Sequence, residues 1–257
     1  MTQKEKNLAE EMTRQDERTH RIGETYERKT EKLFTEWKKK ANAESFVTDG
    51  VINPDIWFKR GVVAGRTLFL LKEAYGEDHD WDLAKDHLLT DEKARPIWKR
   101  VSLWAKGLDK SQANRIEPFD PYAEDVMSFN NPYLNQIAAI NVKKYNGKKQ
   151  SDYDEICDYA KRDKEFLKKQ IELCDPTVIV CGYTAKALEI ILDNDFRKES
   201  NNDLFYTVQI NGHPVTVIDY WHPSNQYPEI MNYYSLVSIY QRSLQSHREA
   251  VWQTKDC

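Results

Sequence analysis

Three short polar clusters in this chain each stand directly after a run of β-forming residues, and together they supply an acid, an amide and an imidazole. Pro214-Val215-Thr216-Val217-Ile218-Asp219-Tyr220 runs into Trp221-His222-Pro223-Ser224; Leu68-Phe69-Leu70-Leu71 runs into Lys72-Glu73-Ala74-Tyr75-Gly76; Ile137-Ala138-Ala139-Ile140 runs into Asn141-Val142-Lys143-Lys144. A proline directly after the histidine ends strand pairing. The imidazole is thereby delivered to the strand-end mouth where α/β sheets bind ligands. An imidazole there can donate to an oxygen on which negative charge develops. An amide can read a partner through both its donor and its acceptor. A carboxylate can orient or deprotonate water. Each residue also has a structural reading: Glu73 as an acid favoured by a helix dipole, Asn141 as a strand-end turn, His222 as a fixed residue before proline. The ordered combination is what favours a site.

The elements that must position these clusters follow from periodicity and breakers. Thr2 to about Ala43 is charged, lacks proline, and carries Leu8, Met12, Ile22, Tyr26, Leu33 and Trp37 at helical spacings. This predicts a long helix or helical pair with a thin apolar stripe, packed on the body or on a second subunit, or serving as a DNA-contacting arm through Lys38-Lys39-Lys40. Asn53-Pro54-Asp55 opens a short helix around Trp57. Strands are expected over Thr67–Leu71, Ile137–Val142 and Thr177–Cys181, and a helix over Ala94–Leu108. One helix is expected from Ser151 to about Cys174, another from Thr184 to Leu192, and a last one from Glu229 to Glu249. Asn211-Gly212 between Leu204–Ile210 and Pro214–Tyr220 predicts a hairpin. Strands alternating with helices point to a three-layer α/β/α domain with a mainly parallel sheet over about residues 46–257, preceded by a charged helical extension over 1–45.

Composition narrows the classes. The net charge of −4 gives no support to a strongly basic nucleic-acid binder, although a local basic groove remains compatible with it. No apolar run approaches the roughly 18–20 residues of a membrane span, and the N-terminus lacks a signal peptide's apolar region; a cytosolic protein without a membrane partner is expected. Cys157, Cys174, Cys181 and Cys257 form no C-x-x-C pair, so no metal or other cofactor is expected, and the first three read as small buried hydrophobes. The absence of G-x-G-x-x-G and of G-x-x-x-x-G-K-[ST] argues against ordinary dinucleotide or P-loop use.

In this order the clusters resemble the motifs of the uracil-DNA glycosylase superfamily, over about Arg66 to Leu244. Lys72-Glu73-Ala74-Tyr75-Gly76 stands where that superfamily has a Gly-Glu-Ala-Pro-Gly-like loop. Asn141 is similar to its base-reading asparagine, Val180-Cys181-Gly182 to its strand–glycine–helix unit, and His222-Pro223-Ser224 to its second motif. The resemblance implies an enzyme that flips a pyrimidine out of DNA and hydrolyses its N-glycosidic bond. Glu73 and His222 would be catalytic, with Asn141 and Tyr75 binding the base. Lys72, Gly76, Gly182 and Ser224 would contact DNA, and Gln226 or Tyr227 would fill the vacated space. Lys72 and Tyr75 replace the motif's usual glycine and proline, which implies a different pocket shape. Tyr145 stands about where iron–sulfur relatives carry a cysteine, so no cluster is expected.

The implied activity is a monofunctional glycosylase using water, with Schiff-base chemistry left open at Lys72 and Lys143. The base is uracil, in a repair role, or a bulkier one such as hydroxymethylated or glucosylated cytosine of viral DNA, in a defence role. Two other classes stay in view: a module that senses a modified base without cutting, and a nucleotide-binding α/β protein sharing only the sheet. The oligomeric state is left open.

Overall fold

The computed structural model describes residues 3–60, 65–74, 79–88, 96–123, 131–145, 147, 150–199 and 204–253. Its centre is a six-stranded sheet built from β2 (Gly50–Val51), β3 (Thr67–Glu73), β5 (Ala138–Lys143), β6 (Val178–Gly182), β7 (Tyr206–Ile210) and β8 (His213–Tyr220). The spatial order is β2-β5-β3-β6-β8-β7. The four inner strands are parallel, and the two edges, β2 and β7, are antiparallel to their neighbours. The expected α/β/α class and mainly parallel sheet are therefore present. Short β1 (Val47–Thr48) and β4 (Trp81–Asp82) pair separately, followed by a π-helical segment, Leu83–Leu88. These two-residue strands and β2 lie below the length at which alternation can be read from sequence.

The inner strands read as continuous apolar runs because both faces are covered. Leu68, Leu70, Ile140, Ile179, Cys181 and Val217 enter one core, and Phe69, Leu71, Ala139, Val180 and Ile218 enter the other. The first core is covered by α1 (Gln3–Ala41), α4 (Tyr153–Arg162), α5 (Lys164–Cys174) and α6 (Ala185–Leu192). The second lies under α3 (Pro96–Lys110) and α8 (Glu229–Gln253). Two short helices, α2 (Pro54–Lys59) and α7 (Phe196–Glu199), complete the described elements.

The helix expected over Ser151–Cys174 is two helices. Asp163, at φ −104° and ψ 14°, ends α4 and precedes α5, and Asp152 rather than Ser151 caps α4 by accepting from the Asp154 and Glu155 N–H groups. Asp is a strong N-cap residue. The Asn211-Gly212 turn is as expected: both residues have positive φ, 50° and 78°, and Ile210 pairs with His213 across them.

The helix α1 divides along its length. Leu8, Met12 and Ile22 are exposed, whereas Tyr26, Phe34 and Trp37 are buried in the same core as the strands. Trp37 stacks on Phe166 at 5.3 Å between centroids. Beneath this helix Asp49 and Lys144 form an ion pair with no solvent exposure. Asp49 also accepts from the Asn141 backbone N–H (2.8 Å), Asn141 Nδ2 (3.1 Å) and Gln170 Nε2 (2.9 Å).

Candidate active site at the strand ends

The chain leaves β3 for β5 on one side of the sheet, then crosses to β6 on the other. Connections that diverge from neighbouring parallel strands open a crevice at their carboxyl ends. The ends of β5, β3, β6 and β8 stand in a row there, with Glu73 opposite Lys143 and Gly182 opposite Tyr220.

Glu73 and Lys143 are almost fully enclosed, with side chains 2% and 3% exposed. Lys143 Nζ lies 2.9 Å from Glu73 Oε2, 3.0 Å from Glu155 Oε1 and 5.1 Å from the Tyr159 ring centroid. Burial opposes the Lys143 charge, but the two carboxylates outweigh it and hold the ammonium pKa above its ordinary value. The Glu73 contact is close without being aligned as a hydrogen bond, and neither carboxylate oxygen has a hydrogen-bond partner among the described residues. Gly147 lies directly over this strand end. Its N–H donates to Ala74 O at 3.0 Å, and a Cβ there would stand 2.3 Å from that oxygen and 3.1 Å from Glu73 Cγ. Only glycine permits this approach.

Lys72, one residue earlier, is half-buried and has no carboxylate within ion-pair distance among the described residues. Burial lowers its pKa, partly offset by Glu73. Its Nζ lies 6.0 Å from the Tyr183 ring centroid. Tyr183 follows Gly182 with φ 61°, a left-handed conformation uncommon for a bulky residue. Its N–H donates to Tyr220 O at 2.7 Å, tying the β6 turn to the end of β8. Its ring is 49% exposed and 5.1 Å from that of Tyr153. Gly182 is closely packed as well; a Cβ would meet Leu71 Cδ2 at 3.0 Å and Pro223 Cδ at 3.4 Å.

His222 is held in one tautomer. Its Nδ1 accepts from the Ser224 N–H at 3.2 Å and lies 2.7 Å from Ser224 Oγ. A nitrogen that accepts a backbone N–H carries no proton, so the neutral ring bears its hydrogen on Nε2. Burial, followed by the nearby Lys72 charge, pushes the His222 pKa down to about 3. The turn is clamped by Arg100, whose Nη1 donates to Pro223 O and Asn225 O, each at 2.6 Å. Gln226 and Tyr227 are exposed beyond it, and the Tyr227 ring lies 5.3 Å from that of Trp221.

Lys72, Glu73, Gly182, His222 and Ser224 thus come from distant segments to one edge of the sheet. Asn141 stands apart. It pairs with Leu71, is 3% exposed, and gives both its N–H and Nδ2 to buried Asp49. Tyr75 and Gly76 lie outside the described residues. The sequence pointed to neither Tyr183 nor Arg100. The exposed ring after Gly182 was available as a clue, whereas a cation on α3 that clamps a turn far along the chain left none. Cys157, Cys174 and Cys181 are buried free thiols, and no group of side chains among the described residues is disposed to hold a metal ion. Among the described residues no helix is long and apolar enough to cross a membrane.

No protein-family model and no curated protein matches this chain.

Proposed function

We propose that this protein is a DNA glycosylase that takes an extruded pyrimidine into the strand-end crevice and hydrolyses its N-glycosidic bond, leaving an abasic site. The observation that carries the proposal is the neutral His222 ring, held with its hydrogen on Nε2 and with a cation nearby. Breaking the bond leaves negative charge on the base and positive charge on the sugar. A neutral imidazole donates to the base oxygen without first losing a proton, and the Lys72 charge favours the same anion. Glu73 would supply the negative charge that favours the cationic sugar. Asn141, 3% exposed and held by buried Asp49, is given no part in reading the base. Ser224 and the backbone at Gly182 would hold phosphates, and Gln226 or Tyr227 would occupy the space left in the duplex. The candidate bases are uracil, for repair, and a hydroxymethylated or glucosylated cytosine, for defence against viral DNA.

Incubation with single- and double-stranded oligonucleotides carrying each base, followed by detection of free base and alkali-labile sites, tests this. Removing one oxyanion donor costs about 10²–10³ in rate, so His222→Ala should lower release by that factor. Release from none of the panel by folded protein would defeat the proposal. The enclosure of Glu73, 2% exposed beneath Gly147, favours a second reading, a module that binds a flipped base without cutting. It predicts salt-sensitive DNA binding with no product, and binding unchanged in Glu73→Ala.

A further inference from the structure

The two lysines at the strand ends have unlike surroundings. Lys143 is enclosed by two carboxylates and an aromatic ring, and its proton is held. Lys72 is half-buried, its Nζ 6.0 Å from the Tyr183 ring centroid, near enough for its charge to act on His222, and with no carboxylate partner among the described residues. Desolvation moves the Lys72 pKa downward, the direction that favours the neutral, nucleophilic amine. Its flexible four-carbon stem starts one residue from Glu73. A sugar whose base lies against His222 has its C1′ one bond from that base.

We propose that Lys72 captures the abasic sugar, giving the protein a lyase activity in addition to base release. The proposal rests on the glycosylase reading of the same site. The Nζ lone pair attacks C1′ of the ring-opened aldehyde. The resulting carbinolamine loses its hydroxyl as water, with a proton from nitrogen, and a C=N bond forms between Lys72 and the sugar. The imine acidifies C2′, whose proton passes to solvent. The C3′–O bond breaks, and the phosphate leaves with the electron pair, nicking the strand. Water then hydrolyses the imine and frees the lysine. Lys143 does not take this role, because both carboxylates favour its charged form.

The test uses the full chain and oligonucleotides with a pre-formed abasic site, so that it does not depend on which base is recognised. Sodium borohydride reduces a Schiff base to a stable amine. The expected result is a borohydride-dependent protein–DNA adduct that peptide mass spectrometry locates on Lys72. Lys72→Arg carries a positive charge but cannot form an imine; at DNA concentrations that saturate it in a mobility-shift assay it should lose both the adduct and the nick. Circular dichroism of that variant establishes that it folds. An adduct that persists in Lys72→Arg or maps to another residue overturns the proposal. Abasic DNA bound by the native protein without any adduct also overturns it, while leaving the glycosylase reading intact. An adduct on Lys72 without base release from any panel member supports the lysine chemistry and defeats the glycosylase reading. No binding to DNA at all overturns both.

Discussion

Replacing Lys144 by methionine should be among the most destabilising single changes in this protein. The side chain has no solvent exposure and contacts an Asp49 carboxylate that is equally enclosed. Its Nζ also lies 5.8 Å from the Phe34 ring centroid and 5.5 Å from that of Trp37. Methionine has similar length and suits the apolar surroundings, so Lys144→Met removes the cation with little change in volume. Asp49 would keep its hydrogen bonds from the Asn141 backbone, Asn141 Nδ2 and Gln170 Nε2, all from neutral donors. A buried charge that loses its counter-charge costs about 3–5 kcal/mol, a large share of the roughly 5–15 kcal/mol that keeps a domain folded. Urea unfolding followed by tryptophan fluorescence measures this, since Trp37 and Trp57 are fully buried. The double variant Asp49→Asn/Lys144→Met removes both charges and should be more stable than Lys144→Met alone, because the penalty lies in the unpaired ion. A loss below about 1 kcal/mol in the single variant, or a double variant less stable than the single, would refute this account of the pair.

The fold should hold His222 neutral well below the ordinary histidine value of 6.5. A depressed folded pKa means that the unfolded chain takes up the proton first. The associated stability is therefore complete above pH 6.5 and declines as pH falls from there toward 3. Imidazole NMR at pH 5 should show His222 with hydrogen on Nε2 only, while exposed His20, whose pKa Asp55 raises, is already protonated; both rings titrating together near 6.5 would count against the site geometry. Lys72→Met should move the His222 value upward by removing one of its two causes. At the α3–α8 contact, a Cβ on Gly107 would meet Val237 Cγ2 at 2.6 Å and Tyr233 Cε2 at 2.8 Å. Gly107→Ala should thus cost about 1–3 kcal/mol by overpacking, despite alanine's better helix propensity; a thermal midpoint at or above that of the native chain would contradict it.

Much of the architecture was legible because it is locally encoded. The apolar runs over Thr67–Leu71 and Thr177–Cys181 can be satisfied only by a sheet covered on both faces, and Asn211-Gly212 carries its own turn geometry. The alternation of strands and helices then leads to a parallel sheet whose carboxyl ends gather Lys72, Glu73, Gly182 and His222. The chain's residue types and spacing alone determined that gathering.

The state of each side chain once gathered was decided by tertiary contacts between segments far apart. Asn141 looks free to read a base until Asp49, ninety-two positions earlier, takes its amide into the interior. Lys72 and Lys143 look equivalent until Glu73 and Glu155 enclose one and leave the other half-buried without a carboxylate partner among the described residues. Glu73 looks accessible until Gly147 is laid across it. Charge, tautomer and exposure depend on the dielectric and on the neighbours around a group. Those are properties of the packed fold, and no local pattern of residues carries them.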